Sequence, residues 1–395
     1  MDRELKRTEK AELMGLLFLH GMAMASWFVP LSSVLDVAGM GAIKSMAFAA
    51  TAIAALLSPL FFGAMADRSA LPAKVLRWVS VATAIMVLWI AWGVEWKWNA
   101  WFLLCLIQVQ SLFLVPTSSL AGSIVLFRLR NSKNQYGSIR ALGTIGWMAG
   151  CWTTSLLGFD TSPKAFYLSG ALWLIVAAYT LVLQQHSVAS QSPKHLSLRE
   201  RFGLDALGLF RIHDHRVVFM TSTLLAIPFA AFYPYTPPHL SDLGFERLSA
   251  WMSLGQVSEV VAMLAIGGIL ARWRLKWVIL AGLFFGWMRY VLYAMDMRVP
   301  VLLGLGLHGF AFTFTYISTQ IYLAKRVEAE WQSRAQALLS LLSGGVGNLA
   351  GYLITGAWIQ FCRTSSGVQW TEYWLGLAAM VMLVLIYFSI SIKAK

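Results

Sequence analysis

Twelve apolar stretches of similar length follow one another along the 395-residue chain, with polar segments between them. About 20 consecutive apolar residues allow an α-helix to cross the hydrocarbon core of a bilayer. Each stretch is therefore predicted to be a transmembrane helix, and the chain is predicted to be an all-α membrane protein. The predicted spans are 12–35, 42–65, 76–95, 99–127, 137–158, 164–185, 217–240, 248–271, 277–295, 299–324, 332–361 and 369–392.

The composition supports this interpretation. Only 12% of the residues are charged and 58% are hydrophobic, whereas about a quarter of the residues of a soluble domain are charged. The basic N-terminal residues lead into a stretch long enough to span, so no cleavable signal is expected. Cys105, Cys151 and Cys362 lack the spacing of metal ligands and are most simply small apolar fillers.

The distribution of positive charge predicts the orientation. If the N-terminus is cytoplasmic, 23 of the 31 Lys and Arg residues fall in cytoplasmic segments and six fall outside, while Arg140 and Arg289 lie within spans. Cytoplasmic loops of membrane proteins carry such an excess of Lys and Arg. Both termini are therefore predicted to be cytoplasmic. The net charge of +13 then reflects topology and an affinity for anionic membrane lipid, and it requires no nucleic-acid partner.

The longest polar connection divides the spans into six and six. Within it, His195–Phe210 is predicted to form an amphipathic helix along the cytoplasmic surface, as a connector or as a regulatory element. A short sequence similarity between Gly63–Arg68 and Gly268–Arg272 supports the presence of two related halves. The chain is predicted to contain an N-terminal six-helix bundle, a cytoplasmic linker and a C-terminal six-helix bundle, at 1–185, 186–216 and 217–395.

One acid stands out among the eighteen Asp and Glu residues, because Glu259 alone falls in the middle of a predicted span. An ionisable group at membrane depth is costly and usually functional. Gln256, three residues earlier, shares its helical face. We expect Glu259 to load and release a proton. The alternative is a buried ion pair with Arg289 or Arg140 that only fixes helix packing.

Two other spans carry polar side chains on one face. Arg140, Thr144 and Trp147 are spaced to share a face of span five, where they could bind a polar, ring-bearing solute. The alternative is an arginine that ties span five to a neighbouring helix. In span ten, His308 and Phe312 are one turn apart, and the histidine could be a hydrogen-bond donor, a proton relay or a packing residue.

The remaining polar positions are less informative. His20 in span one is expected to be a packing residue rather than a site residue. Gln108 and Gln110 in span four cannot share a face, so we expect one to line a cavity and the other to bond between helices. The chain contains no HExxH, GxSxG or P-loop signature, and it is predicted to be neither an enzyme nor a cofactor-binding protein.

Several motifs together resemble one family, the nucleoside–proton symporters of the major facilitator superfamily, which are bacterial inner-membrane permeases. The Gly-x-x-x-Asp-Arg turn at Gly63–Arg68 resembles the cytoplasmic loop motif of that superfamily. The resemblance runs along nearly the whole chain. The motifs that carry it are Ser26-Trp27, Ile139-Arg140-Ala-Leu-Gly-Thr144-Ile-Gly146, Leu204-Asp205-Ala-Leu-Gly-Leu-Phe210, Gln256-Val-Ser258-Glu259, Trp287-Met-Arg289-Tyr-Val-Leu-Tyr-Ala294 and Arg334-Ala-Gln336.

The resemblance implies proton-driven nucleoside uptake by alternating access in a bacterial inner membrane. The residues that it places in the central cavity are Arg140, Thr144, Trp147, Gln256, Glu259 and Phe312, and we expect His308 to bind substrate with them. The chain also departs from the family. Thr313 stands where an acid is common, His308 stands where a tyrosine is expected, and a polar pair of span seven is replaced near Ala230 and Tyr233. Glu259 is then the one embedded acid left for proton coupling.

Other functions remain compatible with the residues. The same fold could carry a sugar or an aromatic acid, because Arg140 could clamp a carboxylate as readily as a base or ribose. An exporter, or a receptor or scaffold that does not transport, is also possible. The expected partners are a small solute with a nucleoside favoured, protons and membrane lipid, and the chain is expected to act as a monomer.

Overall fold

The computed structural model describes residues 7–66, 72–128, 132–183, 202–365 and 367–393. Within this part of the chain, ten helical segments are long and apolar enough to cross a membrane, and they coincide with ten of the predicted spans. The all-α membrane class is thereby confirmed. The ten segments are Arg7–Val37, Pro72–Glu95, Ala100–Leu126, Lys164–Val182, His213–Asp242, Leu248–Arg272, Leu275–Ala294, Arg298–Arg326, Gln332–Phe361 and Trp370–Ser391. The other two predicted spans fall on helices Lys44–Ala66 and Ser132–Leu156.

The chain forms two compact units. The described residues of unit 1 lie within Met1–His195 and Arg247–Ser253, and those of unit 2 lie within Leu196–Glu246 and Leu254–Lys395. The helices of unit 1 are α1 Arg7–Phe28, α2 Leu31–Val37, α3 Lys44–Ala66, α4 Pro72–Glu95, α5 Ala100–Arg128, α6 Ser132–Leu156, α7 Lys164–Val182 and the short α10 Leu248–Met252, with a 3₁₀ turn at Gly41–Ile43.

Unit 2 is also helical. Two of its membrane-length segments widen into π-helical turns, a local geometry that often marks a functional position. These turns are Thr313–Ile317 and Leu341–Gly347. The helices of unit 2 are α8 His213–Phe229, α9 Phe232–Asp242, α11 Leu254–Arg272, α12 Leu275–Ala294, α13 Arg298–Phe312, α14 Ser318–Arg326, α15 Gln332–Ser340, α16 Asn348–Phe361 and α17 Trp370–Ser391, and a two-residue hairpin pairs β1 Arg363–Thr364 with β2 Gly367–Val368.

Helices α1 and α6 pack backbone against backbone. A Cβ atom added to Gly146 would lie 2.0 Å from the carbonyl oxygen of Phe18, and one added to Gly150 would lie 2.5 Å from that of Met22. Gly146 and Gly150 thus form a small-xxx-small pair, which lets membrane helices approach closely without relying on a hydrophobic driving force. This contact fixes the rotation of α6 within unit 1.

The short helix α10 is held by the end of α6 and the loop after it. The backbone N–H of Ser249 donates to the carboxylate of Asp160 at 2.7 Å, and that of Ala250 donates to the Ser155 hydroxyl at 2.9 Å. The first N–H groups of a helix have no intrahelical partner, and a carboxylate there is favoured by the helix dipole. Asp160 and Ser155 therefore cap α10, which begins just after Arg247 in the left-handed conformation (φ 56°).

The linker differs from its prediction. Of the amphipathic helix predicted at His195–Phe210, residues 195–201 lie outside the described residues, and Leu204–Arg211 forms a 3₁₀ helix instead of an α-helix. An ion pair of 2.8 Å joins Asp205 to Arg334, which lies in the first turn of α15. The tighter helix follows from this docking, which the hydrophobic pattern of the segment does not encode.

Gly203 permits this docking. Its φ of 64° is left-handed, and a Cβ at this position would lie 2.4 Å from the carbonyl oxygen of Arg334. Only glycine tolerates both conditions without strain. The close approach brings the 3₁₀ helix against α15.

Candidate functional site

In unit 1, α6 carries the predicted polar face, defined here as the α6 face: Arg140, Thr144 and Trp147. Arg140 is exposed, and its guanidinium has no partner among the described residues, while Thr144 and Trp147 are half-buried. The Trp147 ring meets Phe28 edge-on with ring centroids 6.3 Å apart. Within the described part of the chain, Arg140 makes no hydrogen bond to a carbonyl of a neighbouring helix.

The glycine contact explains why this face remains accessible. At 100° per residue, the α6 face is turned about a quarter of a circle from Gly146 and Gly150. Because these glycines lie against α1, Arg140 and Thr144 are turned away from that contact, whereas Trp147 adjoins α1 through its ring contact with Phe28. A guanidinium, a hydroxyl and an indole are thus presented together.

Two other polar residues of unit 1 are structural. The His20 Nε2 lies 2.9 Å from the Thr117 hydroxyl, and the ring meets Trp173 edge-on, so His20 is a satisfied packing residue. Gln108 donates to the carbonyl of Ala50 at 3.4 Å and bonds between helices.

One of the two glutamines was expected to line a cavity, and Gln110 does not do so. It is fully buried, and its Nε2 finds no partner among the described residues.

In unit 2, Glu259 and His308 come close through a glycine. A Cβ at Gly309 would lie 1.9 Å from the backbone nitrogen of Glu259, so α11 and α13 touch at this point. The N–H of Gly309 also donates to the Ser258 hydroxyl at 3.0 Å. His308 precedes Gly309, and the contact therefore places its ring next to the helical turn that carries Glu259. The Glu259 residue is half-buried.

Arg289 on α12 is fully buried in a cage of aromatic rings. Its guanidinium carbon lies 4.5 Å from the ring centre of Phe229, 5.4 Å from that of Phe232 and 4.4 Å from that of Tyr290. The Nη1 group donates to His308 Nδ1 at 2.5 Å, while Nε and Nη2 have no hydrogen-bond partner among the described residues. The ion pair of Arg289 with Glu259, which the sequence left open, is thus absent here, because Arg289 bonds to the histidine.

This bond determines the tautomer of His308. An arginine can only donate, so Nδ1 must accept and the ring hydrogen must lie on Nε2. Nε2 makes no hydrogen bond within the described part of the chain. The ring stacks on Phe232 at 3.8 Å and 10°, and Phe312 lies nearly parallel at 6.4 Å. His308 is therefore an oriented N–H donor within an aromatic stack, and this geometry does not favour a proton relay.

Gln256 is buried beside this stack. Its Nε2 donates to the Tyr233 hydroxyl at 3.3 Å, which links α11 to α9. Together with Glu259, His308 and Phe312 it forms the unit 2 cluster, as this set is called below. The packing of α11 against α13 thus brings all four predicted residues into one region of unit 2.

Sequence reasoning missed the aromatic wall of this cluster. Phe229, Phe232 and Tyr233 follow one another at helical spacing around the junction of α8 and α9, and the Tyr316 ring lies tilted against that of Phe312 with ring centroids 5.0 Å apart. The spacing of the three aromatics in span seven was a usable signal. The sequence analysis noted only that a polar pair of the family is replaced near Ala230 and Tyr233, and it assigned the rings no role.

Thr313 begins the π-helical turn directly after Phe312. It is fully buried, and its hydroxyl has no partner among the described residues. A threonine cannot take up a proton as a carboxylate does. The chemistry available in the unit 2 cluster and its rings is therefore one ionisable carboxylate, one oriented N–H donor, one amide and a set of aromatic rings, which together suit a flat polar ring carrying hydroxyl groups.

Comparison with known proteins points the same way. A family model described as "Nucleoside H+ symporter" matches residues 8–395. The chain is 30% identical to the putative nucleoside transporter YegT of Escherichia coli over 96% of this chain and 93% of that protein. It is 28% identical to the nucleoside permease NupG of Escherichia coli over 98% and 96%, and 24% identical to the xanthosine permease of the same organism over 95% and 94%.

Solved structures show the same fold. A crystal structure of the nucleoside transporter NupG matches with a TM-score of 0.85 at 25% identity, covering 98% of this chain and 100% of that one. The POT family transporter PepTSo matches with a TM-score of 0.74 at 11% identity, covering 98% of each chain, a likeness that concerns the fold alone.

Proposed function

This chain belongs to the nucleoside H+ symporter family of the major facilitator superfamily, and on that premise we propose which of its residues bind the nucleoside and which one carries the proton. Its family and relatives are transporters and not enzymes, and its activity is proton-coupled nucleoside uptake. The α6 face and the unit 2 cluster are the two sets of residues to which we assign the solute.

The topology completes the proposal. Helices α3 and α6 add two spans to the ten apolar segments, which makes twelve spans in two six-helix bundles, 1–185 and 217–395, joined by the linker 186–216. The excess of Lys and Arg in alternate loops supports cytoplasmic termini, and the bacterial relatives support an inner-membrane location. One chain carries both sets of residues, so the monomer is the transporting unit.

Each set has a defined role in binding. The Phe312 ring stacks on the base, and the His308 N–H donates to an acceptor on the solute. The Arg140 guanidinium donates two parallel hydrogen bonds, for which its planar fork is suited. The Glu259 carboxylate and the Gln256 amide accept from ribose hydroxyls, as their position one helical turn apart allows.

Glu259 couples the proton to this binding. Protonation removes a charge from a half-buried carboxyl group, which lowers the cost of closing the site around it. Opening to a less acidic compartment then favours loss of the proton and weakens solute binding. The direction of transport follows from the unequal affinity of the two states for proton and solute.

A single observation carries this assignment. The Gly309 contact joins α11 to α13 at Ser258 and Glu259, so the residue to which we assign proton exchange is on a helical turn that packs against the turn of His308. In the proposed cycle, a change in the charge of Glu259 acts on the aromatic stack of this neighbouring turn. Thr313 leaves no second carboxylate in this stretch of α13 and its π-helical turn.

The first experiment tests the substrate. Purified protein in proteoliposomes, with an inward proton gradient, is assayed for uptake of labelled uridine in competition with adenosine, xanthosine, lactose and phenylpropionate. We expect nucleosides to compete and the sugar and the aromatic acid not to compete. Competition by lactose or phenylpropionate, with none by any nucleoside, would show that the assigned substrate class is wrong.

The second experiment tests the coupling residue. We expect Glu259→Gln to abolish uridine accumulation against a gradient while energy-independent counterflow persists, because binding remains and only proton exchange is lost. Glu328→Gln, which removes an exposed acid outside the predicted spans, is the matched control and should transport as the wild type does. A Glu259→Gln protein that still accumulates uridine with the wild-type pH dependence contradicts the coupling assignment.

A further inference from the structure

Unit 2 contains a cavity that is lined by none of the residues of the unit 2 cluster. It has a volume of about 260 Å³, lies where α11 joins α12, and its lining includes four cationic side chains and no carboxylate. The four cations are Arg274, Lys276, Lys325 and Arg326. Arg274 and Lys325 are exposed and have no partner among the described residues. Cations grouped in this way repel one another unless an anion lies between them.

An apolar cavity adjoins it. This cavity has a volume of about 440 Å³ and is lined by apolar side chains such as Phe285 and Phe314, with Arg272 as its one charged residue. Gly268 opens into it, and a Cβ added to this glycine would meet nothing within 4 Å. Trp273 lines both cavities, so the cationic space and the apolar space meet at its ring.

We propose that these two cavities form a binding site for one anionic phospholipid. The headgroup phosphate lies among Arg274, Lys276 and Lys325, and one acyl chain fills the apolar cavity beside Gly268. Basic pockets between transmembrane helices bind anionic headgroups in this manner, and each Lys or Arg contributes to the attraction. The occupant is a lipid rather than a soluble anion, because a soluble anion would leave the apolar cavity to water.

The tryptophans at this end of the spans support a lipid occupant. The Trp273 side chain is 57% exposed and that of Trp277 is 56% exposed, and Lys276 lies 6.0 Å from the Trp277 ring centre. Amphipathic rings of this kind are enriched at the level of the lipid headgroups. Trp273 is thus placed at the boundary between headgroup and chain, as the two cavities require.

The test compares lipid binding by native mass spectrometry of the full-length protein. Phosphatidylglycerol and phosphatidylcholine with identical chains are offered in equal amounts, and glycerol 3-phosphate is offered separately as a soluble anion. We expect the wild-type protein to retain one phosphatidylglycerol in preference to phosphatidylcholine. Glycerol 3-phosphate should not be retained at the same concentration.

Two variant sets locate the site. The triple variant Arg274→Gln, Lys276→Gln and Lys325→Gln should reduce the preference for phosphatidylglycerol about tenfold or more, since three cations near the headgroup are lost. Gly268→Leu fills the apolar cavity and should reduce retention of the lipid while leaving the cations in place. The matched control, with the same change of charge in other loops, is Lys97→Gln, Lys164→Gln and Arg363→Gln, and it should behave as the wild type does.

Three results would overturn the proposal. The first is an unchanged preference for phosphatidylglycerol in the triple variant, and the second is equal retention of phosphatidylcholine by the wild type. The third is retention of glycerol 3-phosphate that is as strong as that of the lipid, which would assign the cations to a free phosphate compound. Because the readout is bound lipid, none of these results depends on whether the protein transports nucleosides.

Discussion

The bond between Arg289 and His308 leads to a quantitative prediction. If Arg289 acts on the solute only by keeping His308 Nε2 as the donor, its removal and the removal of the histidine should cost the same interaction. His308→Phe keeps a ring stacked on Phe232 but deletes the donor. One neutral hydrogen bond contributes about 0.5–1.5 kcal/mol, so the dissociation constant of the nucleoside should rise about fivefold.

Arg289→Met should have a similar effect, because the histidine is then held neither in one tautomer nor in one ring orientation. Methionine replaces the aliphatic part of the arginine side chain and packs well against the rings of Phe229 and Tyr290. It also removes a buried charge whose Nε and Nη2 are unpaired within the described residues, which offsets the lost hydrogen bond in the stability of the protein. We therefore expect the variant to fold and to melt within a few degrees of the wild type.

The double variant distinguishes the possibilities. Binding of a labelled nucleoside to purified protein is measured for the wild type, Arg289→Met, His308→Phe and the combination. Interacting residues are non-additive in such a cycle, so the combination should bind about fivefold more weakly than the wild type, as each single variant does. A loss of about 25-fold, the product of the two effects, would show that Arg289 acts independently of His308, and an unaffected His308→Phe variant would remove the histidine from the site.

Three further predictions concern the packing; the first two can be checked by thermal unfolding in detergent and the third by limited proteolysis. Gly146→Ala should lower the melting temperature by several degrees or prevent folding, because its Cβ would lie 2.0 Å from a backbone oxygen, whereas Gly143→Ala meets its nearest atoms at 3.8 Å and serves as the control; equal stability of the two variants would refute the close contact. Asp160→Ala removes the carboxylate that caps α10 and should destabilise by about 1 kcal/mol, seen as a lower melting temperature that Asp160→Asn partly restores; an unchanged value for the alanine variant would contradict the capping role. Gly203→Ala should loosen the linker and increase its cleavage by protease, because a Cβ at this position would lie 2.4 Å from the carbonyl oxygen of Arg334. Gly208→Ala is the control, since Gly208 has open space around it, and it should not increase cleavage. Equal cleavage of the two variants would contradict the docking of the 3₁₀ helix.

Much of the site could be read from spacing along single helices. The shared face of Arg140, Thr144 and Trp147 follows from the helical repeat, and so does the pairing of Gln256 with Glu259 on one side of a span. These predictions needed only the knowledge that the segments are helical. Their assignment to solute binding remains a proposal.

The role of His308 could not be derived in this way. The sequence left a donor, a relay and a packing residue equally open, because the tautomer depends on which group lies against Nδ1. That group is Arg289, which comes from another helix and was considered instead as a partner of Glu259. The ring that stacks on the histidine, Phe232, comes from a third.

The sequence by itself determined the class of the protein and the position of ten of its spans, and it singled out Glu259 as the one acid in the middle of a predicted span. These are local properties, since a helix in a bilayer satisfies its own backbone hydrogen bonds and shows its length in an unbroken apolar run. Only the tertiary structure decided that Arg289 bonds to His308, that Gly309 brings this histidine to Glu259, and that the linker docks as a 3₁₀ helix. Such contacts join side chains far apart in the chain, and no periodicity within one segment encodes them.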